Sequence, residues 1–497
     1  MEAKDTTEGS GNHTLVSRRA AAARSAAATP DRSARLAPLV LLVLVGVGLG
    51  QAGCTADGNG AGGACRTVIN CISDLAPICD AATLTCRGCS MTSPADDVGC
   101  KNRKPETPRC GPSGTCVACL NNADCAARDL RKPACQSYTC QPCTQPTDCQ
   151  SNICATDGSC VPNTQVLFVD NADGNCAGGT PHEGTEADPL CEIGDAVRKA
   201  VELGRRFITV RPSFRPYQPV AVTNLADSLT IEITGLPGSG AKTVQIQGGV
   251  STPALWVASS TGKQTQVTLR RVEVLGVSTN SAVLCEQGAV LKLYNVRIWS
   301  GKDGVTASGC NLTIDGAYIY NNTSNGVYLN ASTFSITNTM LWANRETAIA
   351  LATGNTGAIR FSTIYNNGAA TKVPGIDCGS TMHTVDSSIL FNNERQMSGM
   401  KSLEPQVAGC TLSNVVTNDP RAQNGTLTGA RYVSAIDFLD PDGLEGIGSV
   451  NLRLKKDTAA NRDCCIDKAQ ASGVDRDIDE TRRPLGAAAD IGAHEAQ

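Results

Sequence analysis

Between residues 265 and 400 short apolar strands return at a nearly fixed interval, and this repeat limits the possible folds more than any other feature of the chain. Leu291 to Trp299 (LKLYNVRIW) aligns with Leu312 to Tyr320 (LTIDGAYIY), Phe334 to Trp342 (FSITNTMLW), Ile359 to Tyr365 and His383 to Phe391. The aliphatic anchors Ile298, Ile319, Leu341, Ile364 and Leu390 lie 21, 22, 23 and 26 residues apart. A unit this short cannot bury its own apolar face, so successive units must stack as a solenoid. The stretch holds no helix-length segment, which excludes leucine-rich horseshoes and helical repeats and predicts an all-β coil.

The residues after the anchors are Ser300-Gly301, Asn321-Asn322, Ala343-Asn344, Asn366-Asn367 and Asn392-Asn393. Asparagine tolerates left-handed turns, and stacked amides can hydrogen-bond from coil to coil. This pattern resembles the right-handed parallel β-helix of the pectin-lyase-like superfamily. In that picture the helical-period segment Ile193 to Val201 caps the open N-terminal end of the coil. The C-terminal strings DFLDP (437–441), NLRL (451–454), CID (465–467), RRPLG (482–486) and DIGAHE (490–495) resemble the closing segment of the choice-of-anchor Q family of bacterial surface β-helix proteins. The resemblance spans 166–497. It implies an exported, surface-anchored β-helix and no particular reaction.

Twenty-five cysteines in 497 residues point to an oxidising compartment. Sixteen of them fall in four units of four: Cys65, Cys71, Cys79, Cys86; Cys89, Cys100, Cys110, Cys116; Cys119, Cys125, Cys135, Cys140; and Cys143, Cys149, Cys154, Cys160. The segment has too few large apolar residues for a core. Two disulfides per unit would replace one at about 2–4 kcal/mol each, giving a stalk of little regular structure. The competing reading is a zinc ribbon on Cys116, Cys119, Cys140 and Cys143, which leaves Cys125 and Cys135 idle. Three connectivities are open within each unit. Of the other cysteines, Cys176 and Cys191 flank one loop and form a plausible pair. Cys285 with Cys310 is a further possibility, while Cys378, Cys410, Cys464 and Cys465 are unassigned. No metal and no cofactor are expected.

The uncharged run from Leu36 to Gly53 follows an arginine-containing segment and ends on Cys54, a signal-peptide pattern. Ala52-Gly53-Cys54 resembles a bacterial lipobox, with Gln51 where an apolar residue is usual. It implies lipidation of Cys54 and a membrane partner through that lipid. Plain secretion and a short uncleaved anchor are the alternatives. Lipidation would also account for the odd cysteine count. The expected organisation is a signal peptide (1–53), a linker (54–64), disulfide repeats (65–160) and a β-helix (166–497), placed at the outer membrane or cell surface.

A net charge of −4 gives no basic footprint for nucleic acid. The Gly-His-Gly and Arg-Ile-Lys strings of galacturonase-like hydrolases are absent. His182, His383 and His494 read as structural, and Asp475, Asp477, Asp479 and Glu480 beside Arg482 and Arg483 read as a loop of paired surface charges. No catalytic residue is assigned. Alternation along the strands turns Trp299, Tyr320, Trp342, Tyr365 and Phe391 outward, spaced at about 4.8 Å. If exposed, that stripe is the candidate glycan-binding surface; the alternative is a ladder covered by a loop or by the cysteine segment. The leading expectation is a surface protein binding glycan through a non-catalytic β-helix. The rivals are a polysaccharide lyase or hydrolase on the same coil and a purely structural surface protein.

Overall fold

The computed structural model describes residues 65–497 apart from 156, 179–180, 224–226, 240–241, 369–372, 380–382, 394–395, 398–399, 402–405, 442–449, 471–472 and 497. The expected signal peptide, the linker and Cys54 lie outside the described residues.

The repeat forms a right-handed parallel β-helix of about eight turns, as the sequence predicts. Three parallel sheets of ten, nine and eight strands run along it, each strand pairing with its counterparts one turn before and after. The anchors fall in register, Ile298 opposite Ile319, Leu341, Ile364 and then Leu390, and all five are fully buried. Inward Val, Ile and Leu of the three sheets make one continuous core. The helix Ile193–Leu203 closes the N-terminal end with Ile193, Ala196, Val197 and Ala200, while Leu427 and Ala430 pack against the far end.

Each double-asparagine position has two jobs. Asn321, Asn366 and Asn392 adopt positive φ of 54°, 52° and 54°, the left-handed geometry that asparagine tolerates. The next residues point inward, where Asn322, Asn344, Asn367 and Asn393 are fully buried. Nδ2 of Asn322, Asn344 and Asn367 donates to the side-chain oxygen of the asparagine one turn on, at 2.8, 2.8 and 2.9 Å, and that of Asn393 donates to Gln406, thirteen residues on, at 3.1 Å. Backbone N–H groups of the same residues donate to the same oxygens at 2.8–3.2 Å. A buried amide costs little only when its groups are paired, and this column pairs them turn by turn.

The cysteine segment is more regular than its composition led us to expect. Every unit joins its first cysteine to its third and its second to its fourth: 65–79 with 71–86, 89–110 with 100–116, 119–135 with 125–140, and 143–154 with 149–160. Units one to three each carry a two-stranded hairpin, and units two and three a short helix as well. Disulfide pairing commits the four cysteines of the zinc-ribbon reading to separate bridges. Arg109 ties unit two to unit three through Asp97 and Asp124 at 2.8 and 2.7 Å. Unit four does not stand clear of the coil as a stalk would. Its Ile153 and Val161 pack against Val166 and Phe168 on the outer face of the first sheet, and Thr209 donates to the Ser151 carbonyl at 3.3 Å. The remaining bridges are 176–191, 285–310, 378–410 and the vicinal 464–465.

Replacing Asn344 by Ala strands the buried side-chain and backbone N–H of Asn322 and takes one of its two donors from Asn367 Oδ1. The expected loss is about 1–3 kcal/mol in urea unfolding of the oxidised protein; a loss within about 0.5 kcal/mol would mean that the column carries no stability.

Candidate functional site

The five outward aromatics occupy the expected register, yet they do not form an open platform. Trp299 and Tyr320 stack with ring centres 5.7 Å apart and planes 5° apart, and Tyr320 and Trp342 stack at 4.3 Å and 9°. Rings stacked one per turn cover each other's faces and turn their edges outward, so little flat surface remains for a sugar ring. Trp342 and Phe391 are buried, and Tyr365 meets the edge of Phe438 at 5.4 Å.

The cover is made by described residues between 433 and 496, among them Ile436, Phe438, Leu452, Ile478 and Ile491, which pack on the outer face of the second sheet. Gly492 sits against that sheet with φ of 102°, where a Cβ would approach Ile389 to 2.8 Å and Thr363 to 2.9 Å; only glycine fits there. Arg483 is buried, and it latches the cover. It pairs with Glu495 at 2.8 Å, donates to the carbonyls of Asp490 and Gly492 at 2.8 Å, and lies 4.4 Å over the Phe361 ring. Burial opposes both charges, pulling Arg483 down and pushing Glu495 up. The pair is therefore a positional device, costly to break on one side. This corrects the reading of the acidic run as surface charge: Asp477 and Arg483 are buried, while Asp475 and Arg482 are exposed. His494 is buried as well. Asp479 collects Arg453 at 2.6 Å, the Tyr318 hydroxyl at 3.3 Å and His494 Nε2 at 3.4 Å. Desolvation pushes the His494 imidazole down to about 4. A cavity of about 260 Å³ remains under the cover, lined by Arg297, Tyr318, Tyr320, Trp342, Arg453 and His494 among others.

The larger concave site lies elsewhere. A cleft of about 930 Å³ opens over the outer face of the first sheet, walled by disulfide unit four on one side and by Arg476, Asp477 and Glu480 on the other. Its floor holds Glu232, Thr234, Arg270, Tyr294 and Asp315. Strand register sets Thr234, Arg270, Tyr294, Asp315 and Thr337 in one column along the coil. Arg271, Asn295 and Asn338 come from the turn after this column, each at positive φ (52°, 51° and 47°). Arg270 bonds Glu232 at 3.0 Å and lies 4.1 Å over the Tyr294 ring. Asn338 donates to Asp315 and to the Arg476 carbonyl at 2.9 Å, and Asn295 bonds Glu480. Nε and Nη2 of Arg271 are buried without a protein partner. Desolvation draws that guanidinium below its ordinary value and raises the Asp315 carboxyl above its own. The cleft offers a polymer paired charges, amides and one aromatic ring along a straight path.

Sequence reasoning missed these floor residues. The position that yields Arg271, Asn295 and Asn338 is visible in the aligned repeats, two places before the second-sheet strand begins. Nothing in the spacing showed that unit four and residues 476–480 would stand on either side of it.

Residues 257–425 match the family described as "Right handed beta helix region", and residues 51–166 match a family of unknown function, DUF8331. No curated protein matches the sequence. Among solved structures, the chain is similar to a pectate lyase at 14% identity, covering 67% of this chain and 96% of that one, with a TM-score of 0.36. A rhamnogalacturonan lyase is similar at 11% identity, covering 56% and 91%, also at 0.36. A protein of Geobacillus virus E2 is similar at 13% identity, covering 51% and 55%, at 0.35.

The buried His494 generates a prediction. Its unfolded value lies near 6.5 and its folded value near 4, so between those limits the unfolded chain binds the extra proton. The histidine's contribution is fully present above pH 6.5 and lost as pH falls toward 4. Urea midpoints at pH 7 and pH 4.5 should converge for His494→Gln relative to the parent; an identical acid loss in both proteins would contradict the assignment.

Proposed function

We propose that the protein is an exported surface β-helix that binds a polysaccharide or another surface glycan in the first-sheet cleft, held near the membrane by lipid on Cys54. The observation that carries this reading is the cleft. At about 930 Å³ it exceeds the 260 Å³ cavity under the C-terminal cover, and its polar column follows the coil axis as a polymer would. Arg271 supplies two guanidinium nitrogens that no protein group uses. Alternating donors and acceptors beside the Tyr294 ring suit sugar hydroxyls and an apolar sugar face. The five aromatics of the second sheet are not part of this site: the C-terminal segment packs on Tyr320, Trp342, Tyr365 and Phe391, and Trp299 stacks on Tyr320.

A second reading, polysaccharide cleavage in the same cleft, is favoured by one observation. The Asp315 carboxyl lies in a concave site and is raised by desolvation although Asn338 and Arg270 pull it down, and a raised carboxyl suits a proton donor.

A polysaccharide array probed with the oxidised full chain tests both. Retention on at least one glycan, lowered about tenfold or more by Arg271→Ala, is the expected result. Retention unaffected by that variant would move the site elsewhere. Release of new reducing ends or unsaturated uronate, abolished by Asp315→Asn, would establish the second reading. Fatty-acid labelling that disappears with Cys54→Ser tests the anchor, and an unlabelled parent would defeat it.

A further inference from the structure

Large aliphatic side chains are unusually exposed in the first two disulfide units: Ile69 is 71% exposed, Ile72 63%, Leu75 76% and Val98 57%. Singly such residues are ordinary, but these come from elements in direct contact. The helix Pro94–Arg103 packs its Gly99 face on unit one, where a Cβ would meet Val68 at 3.3 Å and Ile78 at 2.7 Å. Arg103 at its end donates to the Ile72 carbonyl and to Asp74, both at 2.8 Å. Val98 and Lys101, three residues apart on the helix, share its exposed side. Arg66, Lys101 and Lys104 are exposed and make no ion pair among the described residues, while the nearby Asp74 is engaged by Arg103. Aliphatic side chains among free cations form a surface suited to a bilayer carrying anionic phospholipid, where apolar groups enter the interface and Lys and Arg meet headgroups.

The geometry points to a membrane contact made by the first two disulfide units themselves. The chain outside the structure agrees with this occupant. Cys65 lies eleven positions beyond Cys54, a reach of at most about 40 Å when fully extended. The inference rests on the surface-held reading only for where the protein is; the patch itself needs no lipid on Cys54. The contact would hold the coil and its cleft in a fixed orientation to the membrane, which a lipid on one residue alone cannot do.

The test uses the full mature chain from residue 54 with Cys54→Ser, oxidised, sedimented with vesicles of phosphatidylcholine alone or mixed with phosphatidylglycerol. The expected result is binding at least about tenfold stronger to the anionic vesicles, weakened by salt. Ile69→Ser with Leu75→Ser should lower it about tenfold or more, with disulfide mapping showing the fold unchanged. Absence of sedimentation with either vesicle would overturn the inference, as would equal binding by the double variant. Self-association that the double variant abolishes would also overturn it, assigning the patch to a second copy. Vesicle binding by this non-acylated chain together with an unlabelled parent would defeat the lipid anchor and leave the contact standing.

Discussion

Rung-on-rung stacking is the constraint from which the rest of the structure follows. A turn of three short strands has no core of its own, so its inward Val, Ile and Leu are buried only because the next turn repeats them in register. The same condition rules the polar interior. Asn322, Asn344 and Asn367 are tolerable inside because each finds an amide oxygen one turn away, and Asn393 because it finds that of Gln406. It also makes the two ends of the coil a problem, met by the helix Ile193–Leu203 at one end and by Leu427 and Ala430 at the other.

Outer faces are then free to differ, and they do. Aromatic residues on the second sheet stack on each other and are sealed by a C-terminal segment that Arg483 and Glu495 hold in place. Charged and amide side chains on the first sheet stay open between two walls, one from the disulfide units and one from the C-terminal turn. The disulfide segment thus has two roles at opposite ends. Its last unit shapes the cleft, and its first two units present an apolar, basic surface.

Much of this was legible in the sequence because strand repetition is a local signal. The interval between Ile298 and Leu390 gave the register, and the paired asparagines gave both the turn and the inward ladder. The cysteine spacing divided the segment into units and suggested the 176–191 and 285–310 bridges, while the connectivity within units depended on hairpin geometry that spacing does not encode. The aromatic stripe was left as either a surface or a covered ladder for a physical reason: alternation says which way a ring points, not what lies on it. Its cover comes from described residues between 433 and 496, more than forty positions beyond the last aromatic of the stripe. The cleft escaped notice on similar grounds, since Arg271, Tyr294 and Asp315 are brought beside Cys143–Gly158 and Arg476–Glu480 only by the folded chain.

The central claim is therefore one of access, with the second sheet closed and the first-sheet cleft open. Hydroxyl-radical footprinting of the oxidised full chain, read residue by residue by mass spectrometry, tests it most directly. The account predicts oxidation of Tyr294 in the free protein, its protection by a bound glycan, and little reaction at Trp342 or Phe391 in either state. Ready oxidation of Trp342 and Phe391 with an unreactive Tyr294 would contradict it.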